Sequence, residues 1–465
     1  MSTSHDRSKL YSLGLKPLLW LLLASLLTAS PSLADEANPA KEAAEVAGEV
    51  VNTAKLEEIK SDALLRVPTD MSGDFTVAKV APRVRFAVLP GQTQPARLWS
   101  SWGDALFASD GSLYVSIGDH DMPTGKSLVF RVNSETGQIT TVMDINAITG
   151  VAKGMYAPGK VHAPIYEDRD GKIWAIGYRG STRGHNDKVG YMGDPLLWYD
   201  PATNKAEFYA HAVPFSSVAA MTYHAPSHSF YGLNSPGDNA PEKVSRFFVY
   251  DIAANKLKFF GGPAPTKARS LFTHPDGRAW YDTGGKLAMY DPNANEVVQT
   301  EIELPAAGGT LRAASGFTSK GTAWGISQRG TIISFTPDAT TGGKIEAFTD
   351  AFVAGPLYTA ACKLSPDGRY LYYAPSAHGR SSQSGTPVLQ FDTHTGKRKV
   401  IAFLHDALLQ ARDYHLGGTY ALEVSPDGST IGIGWNGGQK GQKKPDFGLC
   451  SVMLLEIPAS ERGGE

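Results

Sequence analysis

The chain has 465 residues, including 49 glycines, and 19% of its residues are charged while 10% are aromatic. Its formal net charge of −2 gives no support for a nucleic-acid-binding protein or for one that docks on a membrane surface. Length alone suggests about three domains of ~150 residues, but an internal repeat favours one repeated architecture instead.

The chain begins with an expected signal peptide at residues 1–34. Basic residues precede the apolar run 17–27, and a small-x-small pattern ends at Ala34. The apolar run is too short to span a membrane. We therefore expect cleavage after Ala34 and a mature protein that is secreted or periplasmic.

Residues 35–79 are rich in alanine and glutamate, and we expect them to form a short helix or a tether outside the folded domain. The next segment, 82–90, has the composition of a β-strand. The folded domain is expected to occupy residues 80–460.

A turn of the type Asp-Gly, with an apolar stretch on each side, recurs through this domain at intervals of 44 to 60 residues. Such turns supply the positive φ that a two-residue hairpin needs. Four short strands per unit at this period are typical of a β-propeller. The sequence therefore predicts an all-β, seven-bladed propeller with four-stranded blades. The second residue of each turn is Gly111, Gly171, Ser229, Gly277, Gly321, Gly368 and Gly428.

The last repeat contains only three strands before the chain ends. We expect residues 83–89 to supply the missing fourth strand, because pairing the two ends of the chain removes exposed sheet edges.

The innermost strand of each blade should run from the mouth of a central funnel down to the turn. Residues eight or nine positions before the turn should then surround the mouth. Tyr223 and His224 are expected slightly below this ring, and Tyr358 slightly above it. The expected ring consists of Trp102, His162, Arg269, Arg312 and Tyr420.

This ring favours an anionic carbohydrate as ligand. Arginine binds carboxylate or sulfate with a bidentate fork, and aromatic faces pack on sugar rings. The alternative is a polar, solvent-lined funnel without a ligand.

Two loops should add further polar groups to the mouth. The loop 177–195 contributes Tyr178, Arg179, Arg183 and His185, and the loop 234–246 ends at Arg246. Loops of this length in a compact fold are usually functional. Three of the candidate residues also have a purely structural interpretation. His162 could be a core histidine, His185 a solvated loop residue, and Arg246 the ion-pair partner of Asp238 or Glu242.

Four segments carry a resemblance to a known family: GKVHAPIYEDRDGKIW (159–174), SFYGLNSP (229–236), SRFFVYD (245–251) and ARSLFTHPDGRAW (268–280). With them the chain resembles the seven-bladed propeller polysaccharide lyases of the secreted ulvan lyase type and, more distantly, the oligogalacturonate lyases. The resemblance extends over about residues 80–460.

The resemblance implies an active site of two histidines, a tyrosine and an arginine. The matching positions are His162, His185 and Arg246, with Tyr223 as the tyrosine and Tyr231 as the alternative. Tyr223 is preferred because aromatic residues occupy the place of Tyr231 in other repeats. The substrate-binding residues expected from their positions at the funnel mouth and on its loops are Tyr178, Arg179, Arg183, His224, Arg269 and Arg312.

The implied reaction is β-elimination in a uronic-acid-containing polysaccharide, ulvan above all, giving 4,5-unsaturated uronate ends. An arginine would neutralise the uronate carboxylate, and a tyrosine or histidine would act as base or acid. The assignment of base and acid, the uronate, its sulfation and endo or exo action stay open. The alternatives are a non-catalytic carbohydrate- or protein-binding propeller and a metal-dependent lactonase or hydrolase.

The family often carries a bound metal ion, here zinc or calcium, and no organic cofactor is expected. The candidate ligands are His274, Cys362 and His378. Cys362 and Cys450 lie in neighbouring repeats, either as two buried free thiols or as a disulfide whose geometry the sequence does not fix. The expected partner is an anionic polysaccharide, with neither nucleic acid nor a membrane, and the protein is expected to be a monomer.

Overall fold

The computed structural model describes residues 53–462, apart from short stretches at 70, 72, 93–98, 120–124, 153, 180–184, 265–268, 306–308, 339–341, 352–358 and 443–444. The expected signal peptide and residues 35–52 lie outside this part of the chain. No helix within it combines the length and the apolar character needed to cross a membrane.

The described chain begins with short elements that precede the first complete blade. They are strands β1 (Thr53–Lys55) and β2 (Glu57–Ile59), a 3-10 turn (Asp62–Leu65), and strands β3 (Thr76–Val77) and β4 (Arg83–Val88).

Seven sheets follow in chain order, each forming one blade, and the four main strands of each blade are antiparallel. Blade 1 contains β5 (Trp99–Ser100), β6 (Leu106–Phe107), β7 (Ser112–Asp119), β8 (Ser127–Asn133) and β9 (Gln138–Asp144), followed by helix α1 (Ile145–Ile148). Blade 2 contains β10 (Pro158–Val161), β11 (Tyr166–Glu167), β12 (Ile173–Arg179), a 3-10 turn (Asp187–Val189), β13 (Pro195–Asp200) and β14 (Lys205–His211). Blade 3 contains β15 (Ser216–His224), β16 (Ser229–Pro236), β17 (Arg246–Asp251) and β18 (Lys256–Pro263).

The second half of the ring repeats this plan. Blade 4 contains β19 (Phe272–Thr273), β20 (Ala279–Asp282), β21 (Lys286–Asp291) and β22 (Glu296–Glu303). Blade 5 contains β23 (Leu311–Phe317), β24 (Ala323–Ser327), β25 (Thr331–Thr336) and β26 (Lys344–Asp350). Blade 6 contains β27 (Cys362–Leu364), β28 (Tyr370–Tyr373), a 3-10 turn (Ser381–Ser384), β29 (Pro387–Asp392) and β30 (Arg398–Phe403). Helix α2 (His405–Arg412) leads to blade 7, which contains β31 (Tyr414–Val424), β32 (Thr430–Gln439), β33 (Ser451–Glu456) and β4, and a 3-10 turn (Ala459–Glu461) follows.

The ring closes between the two ends of the described chain. Strand β4 pairs antiparallel with β33, so that Ser451 lies opposite Val88 and Glu456 opposite Arg83. Phe86 on β4 is 3% exposed and belongs to the core of blade 7. The predicted closure by residues 83–89, and the seven-bladed fold itself, are confirmed.

Strands β1, β2 and β3 lie within the segment expected to be a helix or tether. They pair with β9 of blade 1, with β4 of blade 7 and, in parallel, with β30 of blade 6. The described part of this segment therefore lies along the outer edges of three blades, where it covers open strand edges.

The recurring turns are longer than the expected two-residue ones: the hairpin loops have three residues in blades 1, 2, 4 and 5 and four residues in blades 3, 6 and 7. In blade 1 the Gly111 N–H donates to the carbonyl of Ala108, and the Ala108 N–H donates to the carbonyl of Ser112, both at 3.0 Å. This is a type I turn followed by a residue in the left-handed region. Six turn glycines have φ between 71° and 94°. In blade 3 that position belongs to His228, with φ of 49°, and not to Ser229 as predicted.

Candidate functional site

The predicted ring around the funnel mouth is assembled around Arg269, which is 6% exposed. Its Nη1 lies 3.0 Å from Nε2 of His162, and its Nη2 donates to the backbone carbonyl of Trp102. Its Cζ lies 4.4 Å from the centre of the Tyr420 ring. Residues of blades 1, 2, 4 and 7 thus converge at one end of the propeller axis, as the sequence predicted.

Aromatic rings form the walls of this mouth. The ring of Trp102 lies 4.8 Å from that of Tyr420 and 5.8 Å from that of Phe447, to which it is nearly parallel at 13°. Tyr178 stacks on His162 with their ring centres 4.6 Å apart. These contacts hold flat apolar faces beside the Arg269 guanidinium.

Positive charges share the same space. The Lys160 Nζ lies 4.5 Å from the centre of the Trp102 ring and 5.2 Å from that of Tyr178. Burial, together with the charges of Arg312 and Lys160, lowers the pKa of His378 below its usual range. The mouth is therefore a region of positive potential in which the imidazole of His378 is mainly neutral at neutral pH.

His378 also forms a pair with Tyr420. Its Nδ1 lies 2.7 Å from the tyrosine hydroxyl, and its ring centre lies 5.5 Å from that of Trp102. A neutral imidazole accepts a hydrogen bond at one ring nitrogen. The pair can therefore pass a proton between the tyrosine and a bound ligand.

Lys160 and Phe447 were not predicted as site residues, and His378 was predicted only as a metal ligand. His378 lies between the second and third strands of blade 6, and Phe447 occupies the corresponding loop of blade 7. Loops between these two strands return to the mouth in every blade, so their position in the repeat is the sequence signal that identifies both residues.

The predicted catalytic residues do not all gather beside His162. The His185 N–H donates to the Asp238 carboxylate at 2.9 Å, and its ring packs on Tyr156 and Tyr191 at 5.5 and 5.3 Å. Arg246 forms an ion pair with Glu242 at 2.8 Å. His185 and Arg246 are thus held by partners other than His162, and the pairing of Arg246 is one that the sequence suggested.

Tyr223 lies farther from the mouth than expected. Its hydroxyl lies 2.9 Å from Nδ1 of His228 and accepts a hydrogen bond at 3.1 Å from the N–H of Arg169. Arg169 belongs to the Asp-Gly turn of blade 2, at the opposite end of the propeller axis. Strand β15 continues to His224, so residues near its end lie beside the turns.

His224 and Tyr231 are also placed away from the mouth. His224 Nε2 lies 3.1 Å from the carbonyl oxygen of Pro275, in the turn of blade 4. Tyr231 is 2% exposed and packs against Phe247 and Tyr290. These ring contacts make Tyr231 a packing residue like the aromatic residues at the same place in other blades, and its burial raises the pKa of its hydroxyl.

Of the predicted substrate-binding residues, Tyr178, Arg269 and Arg312 belong to the mouth. The side chain of Arg179 and the whole of Arg183 lie outside the described residues, as does Tyr358.

The three proposed metal ligands do not share one place. His274 pairs with Asp276 at 2.9 Å in the blade 4 turn, Cys362 is buried on the inner strand of blade 6, and His378 lies at the mouth. These residues do not fit a common metal ion.

Another group, formed by Asp168, Asp170 and His228, has its ligand atoms within 4.8 Å of one another. The Asp168 carboxylate accepts hydrogen bonds from the Asp170 N–H at 2.9 Å and the Trp174 indole at 2.8 Å. His228 is bonded to Tyr223. These bonds account for the arrangement as a turn.

Cys362 and Cys450 are both free, at 1% and 0% exposure. Burial raises the pKa of each thiol. The free-thiol alternative is therefore confirmed over the disulfide.

No protein family model and no curated protein sequence matches the chain. Among solved structures, it is similar to "Crystal structure of RRP9 WD40 repeats", with a TM-score of 0.50 and 10% identity over 83% of this chain and 100% of that chain. "Structure of U3-55K" has a TM-score of 0.49 and 10% identity over 80% of this chain and 98% of that chain. At this identity the likeness shows the fold alone. The propeller part of the predicted resemblance is confirmed, and the lyase part stays a prediction.

Proposed function

We propose that the protein binds a uronic-acid-containing carbohydrate at the funnel mouth and acts there as a binding propeller. Lys160, Arg269 and Arg312 supply positive charge, and the rings of Trp102 and Tyr178 supply flat apolar faces. A sugar ring with a carboxylate group complements both features, because arginine recognises carboxylates with directed hydrogen bonds.

The observation that carries this proposal is the placement of two cations against the aromatic walls: the Lys160 Nζ lies 4.5 Å from the centre of the Trp102 ring and the Arg269 Cζ 4.4 Å from that of Tyr420. Burial and, after it, the charges of Arg312 and Lys160 lower the pKa of the neighbouring His378. Holding like charges together costs stability, and an anionic ligand would relieve the repulsion. A neutral ligand would not.

Binding of the mature protein to ulvan, polygalacturonate, alginate, heparan and chondroitin, with dextran as a neutral comparison, tests the proposal. Affinity electrophoresis should show retardation by at least one uronate polymer and none by dextran. Equal retardation by dextran, or none by any polymer, would remove the proposal.

The His378–Tyr420 pair favours a second candidate function, β-elimination of the same ligand. Arg269 would neutralise the uronate carboxylate and stabilise the enolate that forms when the C5 proton leaves. Neutral His378 would first take the Tyr420 hydroxyl proton, and the resulting tyrosinate would take the C5 proton. The C4–O4 bond would break as the leaving O4 takes the proton that His378 received. This proposal uses Tyr420 and Arg269 in place of Tyr223 and Arg246, because Tyr223 is hydrogen-bonded to His228 at 2.9 Å and Arg246 is paired with Glu242 at 2.8 Å.

Ultraviolet absorbance separates the two functions, because elimination creates a conjugated 4,5-unsaturated uronate and binding does not. A rise with wild type that disappears in Tyr420→Phe would establish the lyase. A flat trace with a polymer that binds would leave the binding propeller. Secretion or periplasmic location and the monomeric state stay predictions.

A further inference from the structure

A cavity of about 190 Å³ lies on the propeller axis beneath the funnel mouth. Arg269 and His162 belong both to the mouth and to the wall of this cavity. Another part of the wall is formed by Asp104 and Lys363. The cavity therefore adjoins the site described above, with Arg269 and His162 between them.

Lys363 is held between two carboxylates in this wall. Its Nζ lies 3.1 Å from Asp104 Oδ2 and 2.9 Å from Glu423 Oε2. The lysine side chain is 21% exposed, and those of Asp104 and Glu423 are 13% and 18% exposed. An ammonium group has three N–H donors, so two carboxylates leave one donor for a ligand.

The charge of Lys363 is maintained by its neighbours. Burial acts against the charged form, but the carboxylates of Asp104 and Glu423 raise the pKa of Lys363 well above its usual range. Asp104 is fixed in turn, because its Oδ1 accepts the backbone N–H of Leu422 at 2.9 Å. The wall thus presents an ammonium donor and a carboxylate acceptor side by side in fixed positions.

The rest of the lining is divided between apolar and hydroxyl-bearing side chains. Pro164, Met221 and Leu271 are apolar, whereas Thr222 and Ser270 carry hydroxyls. Small-molecule sites combine apolar walls with a few placed polar groups in this way, usually at volumes of ~300–1,000 Å³. This smaller cavity suits one sugar ring and not a longer piece of a chain.

We propose that this cavity binds the terminal uronate unit of the carbohydrate, so that the protein recognises a chain end. The carboxylate of that unit faces Arg269 and His162, and its ring hydroxyls contact Lys363 and Asp104. The inference rests on the proposed function of the mouth and adds the direction in which the ligand enters. It also makes Lys363 a specificity residue for the terminal ring.

The test compares galacturonate and glucuronate oligosaccharides of three units with chains of about twenty units, by titration calorimetry on the mature protein. Recognition of an end predicts one protein per chain at both lengths. Ala314→Leu, which adds volume at the cavity wall, should weaken binding at least tenfold. Ala347→Leu on the exposed face of β26 is the matched control and should change nothing.

Lys363→Met leaves Asp104 and Glu423 without their counter-charge and can prevent folding. Ala314→Leu is therefore the decisive variant, provided that its melting temperature equals that of wild type. Several proteins bound per long chain, with unchanged affinity in Ala314→Leu, would overturn the cavity proposal and leave the mouth as a side-on site. Absence of binding to every uronate tested would overturn both proposals.

Discussion

The hydroxyl of Tyr420 and the Nδ1 of His378 lie 2.7 Å apart although the two residues belong to different blades. Their approach depends on Gly418, two residues before Tyr420 on β31. A Cβ at Gly418 would lie 2.1 Å from the carbonyl oxygen of Ser376. The absence of a side chain at this position lets the loop that carries His378 lie against the inner strand of blade 7.

Gly418→Ala should therefore separate the pair. The backbone of the blade 6 loop has to move, because a contact of 2.1 Å to a backbone oxygen is sterically forbidden. We expect weaker uronate binding and a lower melting temperature. Ala347→Leu on the exposed face of β26 is the control. An unperturbed His378 resonance and unchanged binding in Gly418→Ala would show that the close approach is not required.

His378 should titrate below the ordinary histidine value of about 6.5. Because protonation is then easier in the unfolded chain, the stability linked to this group is complete above about pH 6.5 and is lost as the pH falls through the folded-state pKa. Lys160→Met removes one repelling charge and should raise the His378 pKa. NMR of the imidazole proton resonances across pH 4–8 measures the His378 pKa in wild type and in Lys160→Met. A His378 pKa above 6.5 in wild type would contradict the positive potential assigned to the mouth.

Removing an anchor of the closing strand should destabilise the whole ring. Phe86 on β4 is 3% exposed, and a buried Phe→Ala change costs about 3–5 kcal/mol of unfolding free energy. Phe208, which is 41% exposed, provides the matched control, and Phe208→Ala should have a much smaller effect. Urea unfolding followed by tryptophan fluorescence measures both. Equal effects of the two substitutions would mean that ring closure does not depend on the core contact of β4.

The two cysteines should not react in the folded protein. Both thiols are buried with raised pKa values, and the thiolate is the reactive form. A colorimetric thiol reagent at pH 8 should modify neither within minutes, and both after unfolding in guanidinium chloride. Rapid modification of the native protein would show that these strands open readily.

The fold could be predicted because each hairpin carries its own local signal, an Asp-Gly turn between apolar strands. The ring at the mouth could be predicted too, since a nearly constant number of residues separates the turn from the mouth. Tyr223 was misplaced because β15 continues up to its turn, a detail of strand length that the repeat does not encode. The His378–Tyr420 pair was missed because it depends on contact between blades, which no local pattern reports.

Calorimetric titration of the best-bound uronate oligosaccharide into a matched pair of lysine variants tests the central claim most directly. Lys160 lies over Trp102 at 4.5 Å in the mouth, whereas Lys172 lies over Trp198 at 4.3 Å elsewhere on blade 2. The account predicts that Lys160→Met weakens binding at least tenfold and that Lys172→Met binds like wild type. Equal affinities for both variants, or no saturable binding by wild type, would contradict the assignment of the funnel mouth as an anionic carbohydrate site.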